Sequence, residues 1–352
     1  MKPYIIAETA YNHEGDIHYL LKMTGEIGDL GVNAIKYHLM LDPSSYMVPF
    51  HPLFSETVKW IFTKEQWREI FHEAMRHNLD IIALCDDKES LEFINEQYPD
   101  IFAVELHATS LNDYHLLKEA SKFPGTVILG IGGSTLDEIS YAIDLLNAQG
   151  KENILLMYGF QSYPTNYAEI NLSKMLKIKN LFDLPVGYAD HTAYDDPNNE
   201  IISIMGSMMG INILEKHYTP DYGVERIDYH AAVGTEQMKR IKELMTTALN
   251  VFGDGSLSMG EAELKYGNTG PMKKAIVAGQ DITSGEILTE EMLVFRRTEK
   301  SSPLRQMEFP RLIGLRTKRE IQKGEIITYN DVEYLFNTEN LESFTKLKRD
   351  RA

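Results

Sequence analysis

The chain has 352 residues, of which 43% are apolar and 25% charged, as in an ordinary globular protein. Its net charge of −17 is uneven: residues 1–270 carry −19 and residues 271–352 carry +2. A chain this acidic is unsuited to nucleic-acid phosphates, and it has no apolar run of membrane-spanning length. With one cysteine, Cys85, and no secretory signal pattern, we expect a cytoplasmic protein without disulfides.

Eight short apolar segments predict buried β-strands. Amphipathic segments of helical period separate them, for example LDEISYAIDLLNA at 136–148. Apolar strands that alternate with helices indicate a parallel sheet, and eight such units in about 250 residues predict a (β/α)₈ TIM barrel, with a doubly wound open sheet as the alternative. In chain order the strands are PYIIAET (3–9), AIKYHLM (34–40), DIIALCD (80–86), IFAVELHA (101–108), TVILGIG (126–132), ILLMYGF (154–160), PVGYADH (185–191) and INILEKHY (211–218).

An imperfect repeat marks the C-terminal part. Segments 281–293 and 320–332 share the pattern [D/E]-I-x-x-G-E-I-[L/I]-T at a step of 39 residues. Each copy predicts a strand, a glycine turn and a strand, and together they predict a small β-rich domain with pseudo-two-fold symmetry. We expect a barrel at 1–255, a linker at 256–271, the β-rich domain at 272–336 and a tail at 337–352. This domain is either a solubilising appendage or a lid whose Arg296 or Arg297 reaches an anionic or polyhydroxylated ligand.

Polar side chains concentrate at the carboxyl ends of the predicted strands, where α/β folds place their sites. His191 and His217 follow adjacent strands and suit a catalytic divalent ion, because two imidazoles leave coordination positions open. A pair of core histidines is the alternative. Gly132 lies in a glycine-rich turn whose backbone N–H groups suit an anion, although a turn without a ligand explains it equally well. The other candidates at strand ends are Glu8 and Lys36, which we expect to be catalytic, and His38, Asp190 and Glu215, which we expect to bind substrate.

The segment VELHATS, 104–110, places Glu105 and His107 two residues apart. In an extended strand this spacing puts both side chains on one face. As part of the fourth strand they are expected to point into the catalytic end, where a carboxylate and an imidazole form a candidate acid/base pair.

Several motifs, in collinear order over residues 3–336, resemble those of the sialic acid synthases. AETAYNHEG (7–15) is similar to their E-[IV]-x-x-N-H-x-G opening and QSYPT (161–165) to their N-x-Y-P-T segment. GYADHT (187–192) resembles G-[LY]-S-D-H-T, ILEKHYT (213–219) resembles [LI]-E-[KR]-H-[FI]-T, and the tail resembles their antifreeze-like (SAF) domain. The resemblance implies a TIM barrel with a SAF domain and a domain-swapped homodimer in which a lid arginine completes the partner's sugar site.

The resemblance also implies an activity. Members of this family condense phosphoenolpyruvate with the open-chain aldehyde of an N-acetylated amino sugar, using Mn²⁺ or Mg²⁺, to form a nonulosonic acid. By position, His191 and His217 match the metal ligands, Glu8 the carboxylate beside the metal, and Lys36 the lysine that binds the donor's carboxylate. The residues that match the sugar side are Tyr163, Glu215, Asp228 and Arg297.

The donor side departs from the family pattern. In the fourth strand, which usually reads K-I-x-S-[GA]-[ED], the lysine is Glu105, the serine Ala108 and the acidic residue Ser110. Elsewhere the family's donor-side hydroxyl and amide residues are replaced by Leu84, Gly130, Gln161 and Ala189. The alternatives are therefore an ordinary synthase of EC 2.5.1 type, an enzyme that uses Glu105 and His107 with a donor other than phosphoenolpyruvate, or a non-catalytic homologue.

Overall fold

The chain forms two compact units, Met1–Gly255 and Ser256–Ala352, in the computed structural model. The structure describes residues 2–160, 162, 165–267 and 269–334. Tyr163 and the predicted tail at 337–352 lie outside this range.

The first unit contains a closed barrel of parallel strands. Each strand pairs with the next along the chain, and the last strand pairs with the first. This closure confirms the TIM barrel and excludes the open sheet. All eight predicted segments contain a strand; these are β1 (Tyr4–Glu8), β2 (Ala34–Leu39), β3 (Asp80–Cys85), β4 (Ala103–Leu106), β5 (Thr126–Gly130), β6 (Ile154–Tyr158), β7 (Val186–Asp190) and β8 (Ile213–His217).

Side chains alternate across the barrel wall, as the strand period of two requires. In β4, Val104 and Leu106 join the core between the sheet and the helices. Ala103 packs inside the barrel with Ile82 and Ile128, and Glu105 follows it two residues later on the same inner face. Inward positions near the carboxyl ends of the strands therefore carry polar side chains above an apolar barrel floor.

Helices cover the outside of the barrel. The predicted helix at 136–148 is present as Leu136–Ala148, begins at a Thr135 capping box and buries Ile139, Ala142 and Leu146. Among the described helices none combines the length and apolar character that a bilayer crossing demands. The helices are α1 (Ile17–Leu30), α2 (Pro43–Tyr46), α3 (Phe54–Thr57), α4 (Lys64–Arg76), α5 (Lys88–Gln97), α6 (Tyr114–Ala120), α7 (Leu136–Ala148), α8 (Tyr167–Ile170), α9 (Leu172–Phe182), α10 (Asn199–Met205), α11 (Thr235–Phe252) and α12 (Glu261–Leu264).

The second unit has its own apolar core and the predicted pseudo-two-fold symmetry. Ile282 and Ile321, which are equivalent in the repeat, exchange backbone hydrogen bonds of 2.9 Å in both directions. Gly285 and Gly324 both turn at a φ of 88°. The prediction of a strand, a turn and a strand in each copy is only partly right. Residues beside the turns form isolated β-bridges instead of strands, and Ile282 of the first copy bridges Ile321 of the second. The strands lie outside the turns, as β9 (Ala275–Ala278), β10 (Leu293–Arg296), β11 (Arg316–Thr317) and β12 (Val332–Glu333).

Candidate active site

A cavity of about 440 Å³ opens at the carboxyl ends of the barrel strands. Its lining contains one group of charged and imidazole side chains and a second group of small residues, together with Met157 and Phe160. The first group comprises Glu8, Lys36, Glu105, His107, His191 and Glu215, and the second includes Ala108, Gly130, Gly132, Gly159 and Ala189.

Lys36 lies at the centre of three buried carboxylates. Its Nζ is 2.7 Å from Glu215 Oε1, 3.2 Å from Glu105 Oε1 and 3.3 Å from Glu8 Oε1. Burial alone would lower the pKa of Lys36, but the three carboxylates outweigh burial and raise it. The ammonium is therefore held in its charged form.

The pKa values of the three carboxylates are shifted in different directions. Burial would raise the pKa of Glu8, yet the charges of Lys36 and His217 hold it well below its usual value. Burial raises the pKa of Glu105, and Lys36 opposes the rise only in part. Burial, together with the charges of Glu8 and Glu105, raises the pKa of Glu215 well above its usual value. The cluster thus combines one carboxylate whose pKa is lowered, Glu8, with two whose pKa is raised, of which Glu215 is raised the most strongly.

Glu8 also contacts two histidines. His38 Nε2 lies 2.7 Å from Glu8 Oε1, and His217 Nε2 lies 3.2 Å from Glu8 Oε2. Burial would lower the pKa of His38, but the hydrogen bond and charge of Glu8 raise it. On its other side, His38 Nδ1 is 3.9 Å from Asp86, which accepts a hydrogen bond of 2.8 Å from Tyr11.

The two predicted metal ligands meet at the edge of this cluster. The imidazole centroids of His191 and His217 are 5.1 Å apart. Burial, followed by the charge of His217, lowers the pKa of His191 to about 3, so its imidazole is neutral, as a metal ligand must be. In the described part of the chain, the buried Nδ1 of His217 has no hydrogen-bond partner.

Across the described residues, no three or more His, Cys, Asp or Glu side chains converge as a metal-ligand set. An ion held by two imidazoles would keep positions open for water or substrate oxygen.

His107 stands at the cavity rim, on the same inner side as Glu105. Its Nδ1 accepts a hydrogen bond from the backbone N–H of Thr109 at 3.3 Å, which places the proton of the neutral ring on Nε2. Burial, then the charges of His38 and Lys36, lowers the pKa of His107 to about 4. A neutral imidazole therefore faces the same cavity as the Glu105 carboxyl group.

Asp190, predicted to bind substrate, faces away from the cavity. Its carboxylate lies on the outer side of β7, where it accepts hydrogen bonds of 2.6 Å from Lys216 and from Ser203 of α10. Burial would raise the pKa of Asp190, but Lys216 and these donors lower it to about 2. The prediction that Asp190 binds substrate is therefore wrong, because its carboxylate is hydrogen-bonded to residues of the barrel wall and does not face the cavity.

Gly132 lines the cavity, but packing already explains the absence of a side chain there. A Cβ at this position would lie 2.0 Å from the carbonyl oxygen of Gly159, and one at Gly159 would lie 2.1 Å from that of Ala189. These loops therefore interlock through backbone contacts that require glycine.

The two remaining predicted residues lie in a loop of the first unit and in the second unit. Asp228 is half-buried in the loop after β8, in a left-handed conformation with a φ of 61°. Arg297 is exposed on the second unit, directly after β10.

Sequence reasoning missed Asp86 and Tyr11. Asp86 directly follows β3 and is buried beside His38, so the strand-end rule that selected the other candidates would also have selected it. Asp86 lines a second cavity of about 890 Å³, which adjoins the first through Ala108 and Thr109. The barrel mouth thus offers two adjoining cavities.

Comparison with known protein families agrees with this architecture. The model of the NeuB family matches residues 50–256, and that of the SAF domain matches residues 273–333. The chain belongs to the NeuB family.

Several relatives are sugar-acid synthases. An N,N'-diacetyllegionaminic acid synthase from Campylobacter jejuni is 26% identical over 93% of this chain and 99% of its own length. Two crystal structures share the fold. A putative spore coat polysaccharide biosynthesis protein E from Chromobacterium violaceum has a TM-score of 0.78 at 19% identity, covering 95% of this chain and all of its own. An N-acetylneuraminic acid synthetase from Leptospira borgpetersenii has a TM-score of 0.68 at 24% identity, covering 75% and 89%.

Proposed function

We propose that this NeuB-family chain is a metal-dependent enzyme that joins a three-carbon acid to the open-chain aldehyde of an N-acetylated amino sugar, giving a nonulosonic acid. The observation that carries the proposal is the convergence of Lys36 with Glu8 and Glu215 in one cavity, beside the His191 and His217 imidazoles, whose centroids are 5.1 Å apart. The second cavity beside it provides room for the other substrate. This is an EC 2.5.1-type reaction.

Each residue has a role that follows from its environment. A divalent ion, Mn²⁺ or Mg²⁺, held by His191 and His217 would polarise the aldehyde oxygen. Glu215, whose pKa is raised, would donate a proton to that oxygen as the carbon–carbon bond forms. Ionised Glu8 would accept a hydrogen bond from a sugar hydroxyl, and Lys36 would pair with the carboxylate of the three-carbon acid.

With phosphoenolpyruvate as donor, C3 of the enol attacks the aldehyde, water adds at C2 and phosphate leaves. The test is to incubate the protein with Mn²⁺, phosphoenolpyruvate and either N-acetylmannosamine or a 2,4-diacetamido sugar, and to measure phosphate. Release that requires the sugar and is lost in Glu215→Gln supports the proposal. No release with any of these sugars, while Mn²⁺ still binds, would rule out this donor.

A second candidate, an enzyme that uses an unphosphorylated keto acid, is favoured by Glu105. This carboxylate occupies the cavity 3.2 Å from Lys36, and its buried Oε2 has no hydrogen-bond partner among the residues described. Glu105 repels a phosphate dianion, and Ala108, Gly130 and Ala189 have no side-chain donors to offer it. Each missing charge-assisted hydrogen bond costs roughly 1.5–3 kcal/mol, and each 1.4 kcal/mol lowers affinity about tenfold.

In this second reaction, the Glu105 carboxylate, whose pKa is raised, would remove a proton from C3 of the keto acid, and neutral His107 would donate a hydrogen bond from Nε2 to the oxygen of the enolate formed. Pyruvate and the sugar should then give product without release of phosphate. Glu105→Gln should abolish turnover and leave both the folded state and Mn²⁺ affinity intact. Full turnover by this variant would show that the Glu105–Lys36 contact is structural.

Under either candidate we expect a domain-swapped homodimer in which Arg297 completes the sugar site of the other copy. Light scattering tests the oligomeric state. Arg297→Ala should raise KM for the sugar, with the neighbouring Arg296→Ala as the matched control. An unchanged KM in the Arg297 variant would remove this arginine from the site.

A further inference from the structure

A buried ion pair joins the two strands that carry the metal-binding histidines. Lys216 Nζ lies 2.6 Å from Asp190 Oδ2, and both side chains are at most 1% exposed. The two residues are register partners across β7 and β8. Because side chains alternate along a strand, the pair points outward while the next residues, His191 and His217, turn toward the cavity.

Asp190 makes further bonds that fix the chain on both sides of His191. Its Oδ1 accepts hydrogen bonds from the backbone N–H of Thr192 at 3.0 Å, from the Thr192 hydroxyl at 2.6 Å and from Tyr188 at 3.1 Å. Its Oδ2 also accepts one from Ser203 at 2.6 Å. The residues before and after His191 are thus tied to one carboxylate.

Lys216 closes the arrangement from the other strand. Besides Asp190, it donates to the carbonyl oxygen of Thr192 at 3.5 Å. The backbone on both sides of His191 is therefore linked to the residue that precedes His217. Any shift of one strand end relative to the other must break a buried, charge-assisted bond.

We propose that Asp190 and Lys216 are positioning residues that fix the separation of the His191 and His217 imidazoles and thereby set the affinity for a divalent cation. This inference rests on the proposed function, because it presumes that the two histidines bind a cation. Metal–ligand distances in proteins lie within about 0.2 Å of their preferred values, and mutation of residues that orient the ligands typically lowers metal affinity about 10–100-fold. A buried ion pair is, by contrast, often replaceable without loss of stability, so positioning explains why both charges are present.

The test separates positioning from stability. Mn²⁺ affinity is measured by competition with a chromogenic chelator, and thermal unfolding is followed in parallel in the presence of EDTA. Asp190→Asn keeps the side-chain shape but removes the charge, and the double variant Asp190→Asn/Lys216→Met removes both charges. We expect about a 10–100-fold loss of Mn²⁺ affinity in both variants, with the melting temperature of the double variant recovering toward wild type while its affinity stays low.

Leu214→Ala is the matched control. Leu214 is buried on the same outer face of β8, two residues before Lys216, so its truncation weakens the same wall without touching the ion pair. It should lower the melting temperature and keep wild-type affinity. If Asp190→Asn does not fold, Ser203→Ala, which removes one bond to Asp190 and keeps the pair, should still weaken Mn²⁺ binding.

The outcomes are distinct. Wild-type affinity in the foldable Asp190 or Ser203 variants overturns the positioning role and leaves the proposed function standing, and an equal affinity loss in Leu214→Ala also overturns it. A wild-type chain that binds no Mn²⁺ overturns both the proposed function and this inference.

Discussion

The Lys36 ammonium neutralises a pocket that would otherwise be strongly anionic. Glu8, Glu105 and Glu215 are each no more than 3% exposed, so water cannot screen them. Lys36→Met should lower the free energy of unfolding at pH 7 by about 3–5 kcal/mol, because it leaves buried carboxylates without a counter-charge. Urea denaturation measures this change.

The pH dependence of that variant provides a second check. Without Lys36 the buried carboxylates gain folded-state pKa values above those in the unfolded chain, so the folded state takes up protons first. The deficit of Lys36→Met should therefore shrink as the pH falls from 7 to 5. Glu105→Gln, which removes a negative charge, is the control and should change stability little. A Lys36→Met variant as stable as wild type at pH 7 would contradict this account of the cluster.

His13 is a buried histidine that burial keeps neutral. Its Nδ1 accepts a hydrogen bond of 3.0 Å from Gly15, and its ring centroid is 4.7 Å from that of Phe62. Burial, then the charge of His38, lowers the pKa of His13 to about 3. Below about pH 6.5 the unfolded chain binds a proton here that the folded chain does not. His13 therefore removes about 1.4 kcal/mol of stability per pH unit on acidification, down to about pH 3.

His13→Asn retains an acceptor for Gly15 and cannot take up this proton. Its unfolding free energy should fall less steeply than that of wild type between pH 6 and 4.5, by about 1.4 kcal/mol per unit. The control is His18→Asn, at an exposed position, which should follow the wild-type slope. Parallel slopes for wild type and His13→Asn would refute the prediction.

At the scale of single elements, α7 begins with a reciprocal cap. Thr135 Oγ1 accepts from the backbone N–H of Glu138 at 3.3 Å, and Glu138 Oε2 accepts from that of Thr135 at 2.7 Å. Thr135→Ala should cost about 1 kcal/mol, or about 2–4 °C in melting temperature for a unit of this size. Ser140→Ala, in the same helix but outside the cap, should change it much less. Equal shifts in the two variants would show that the cap contributes nothing specific.

The elements themselves follow from residue patterns. Apolar runs and helical periodicity were enough to predict every barrel strand and the helix at 136–148, because burial on both faces of a parallel sheet leaves a strong signal. The role of Asp190 did not follow. Its neighbour His191 is equally close to the end of β7. Side chains alternate along the strand, and only the folded barrel shows which of these two residues points into the cavity.

Contacts across the barrel were also beyond the sequence. Lys36 and Glu105 belong to β2 and β4, which are not neighbours in the sheet, so their 3.2 Å contact depends on barrel closure and stagger. In the second unit, the repeat predicted the symmetry between Ile282 and Ile321. It did not show that each copy pairs with the other, because a sequence repeat does not indicate which segments form hydrogen bonds with each other.

At the scale of the whole molecule, the chain combines two units with separate cores and different charge. The core of the second unit includes Ile276, Leu312 and Ile327, and none of these belongs to the barrel core. Residues 1–270 carry −19 and residues 271–352 carry +2. Because the two cores pack separately, we expect the backbone that connects them to contribute little to the stability of either unit.

That connection is the site where limited proteolysis should divide the described part of the chain. Leu257 is fully exposed, and Val251 and Met259 near it are also exposed, so the backbone around residue 257 can enter a protease without unfolding either core. A low concentration of chymotrypsin should release a fragment that ends at Leu257, which mass spectrometry identifies. This fragment should still unfold cooperatively, as the barrel does. Leu257→Glu should remove this product, whereas the exposed Leu181→Glu on α9 should not. Cleavage within the barrel strands before residue 257 would contradict the division into two independently packed units.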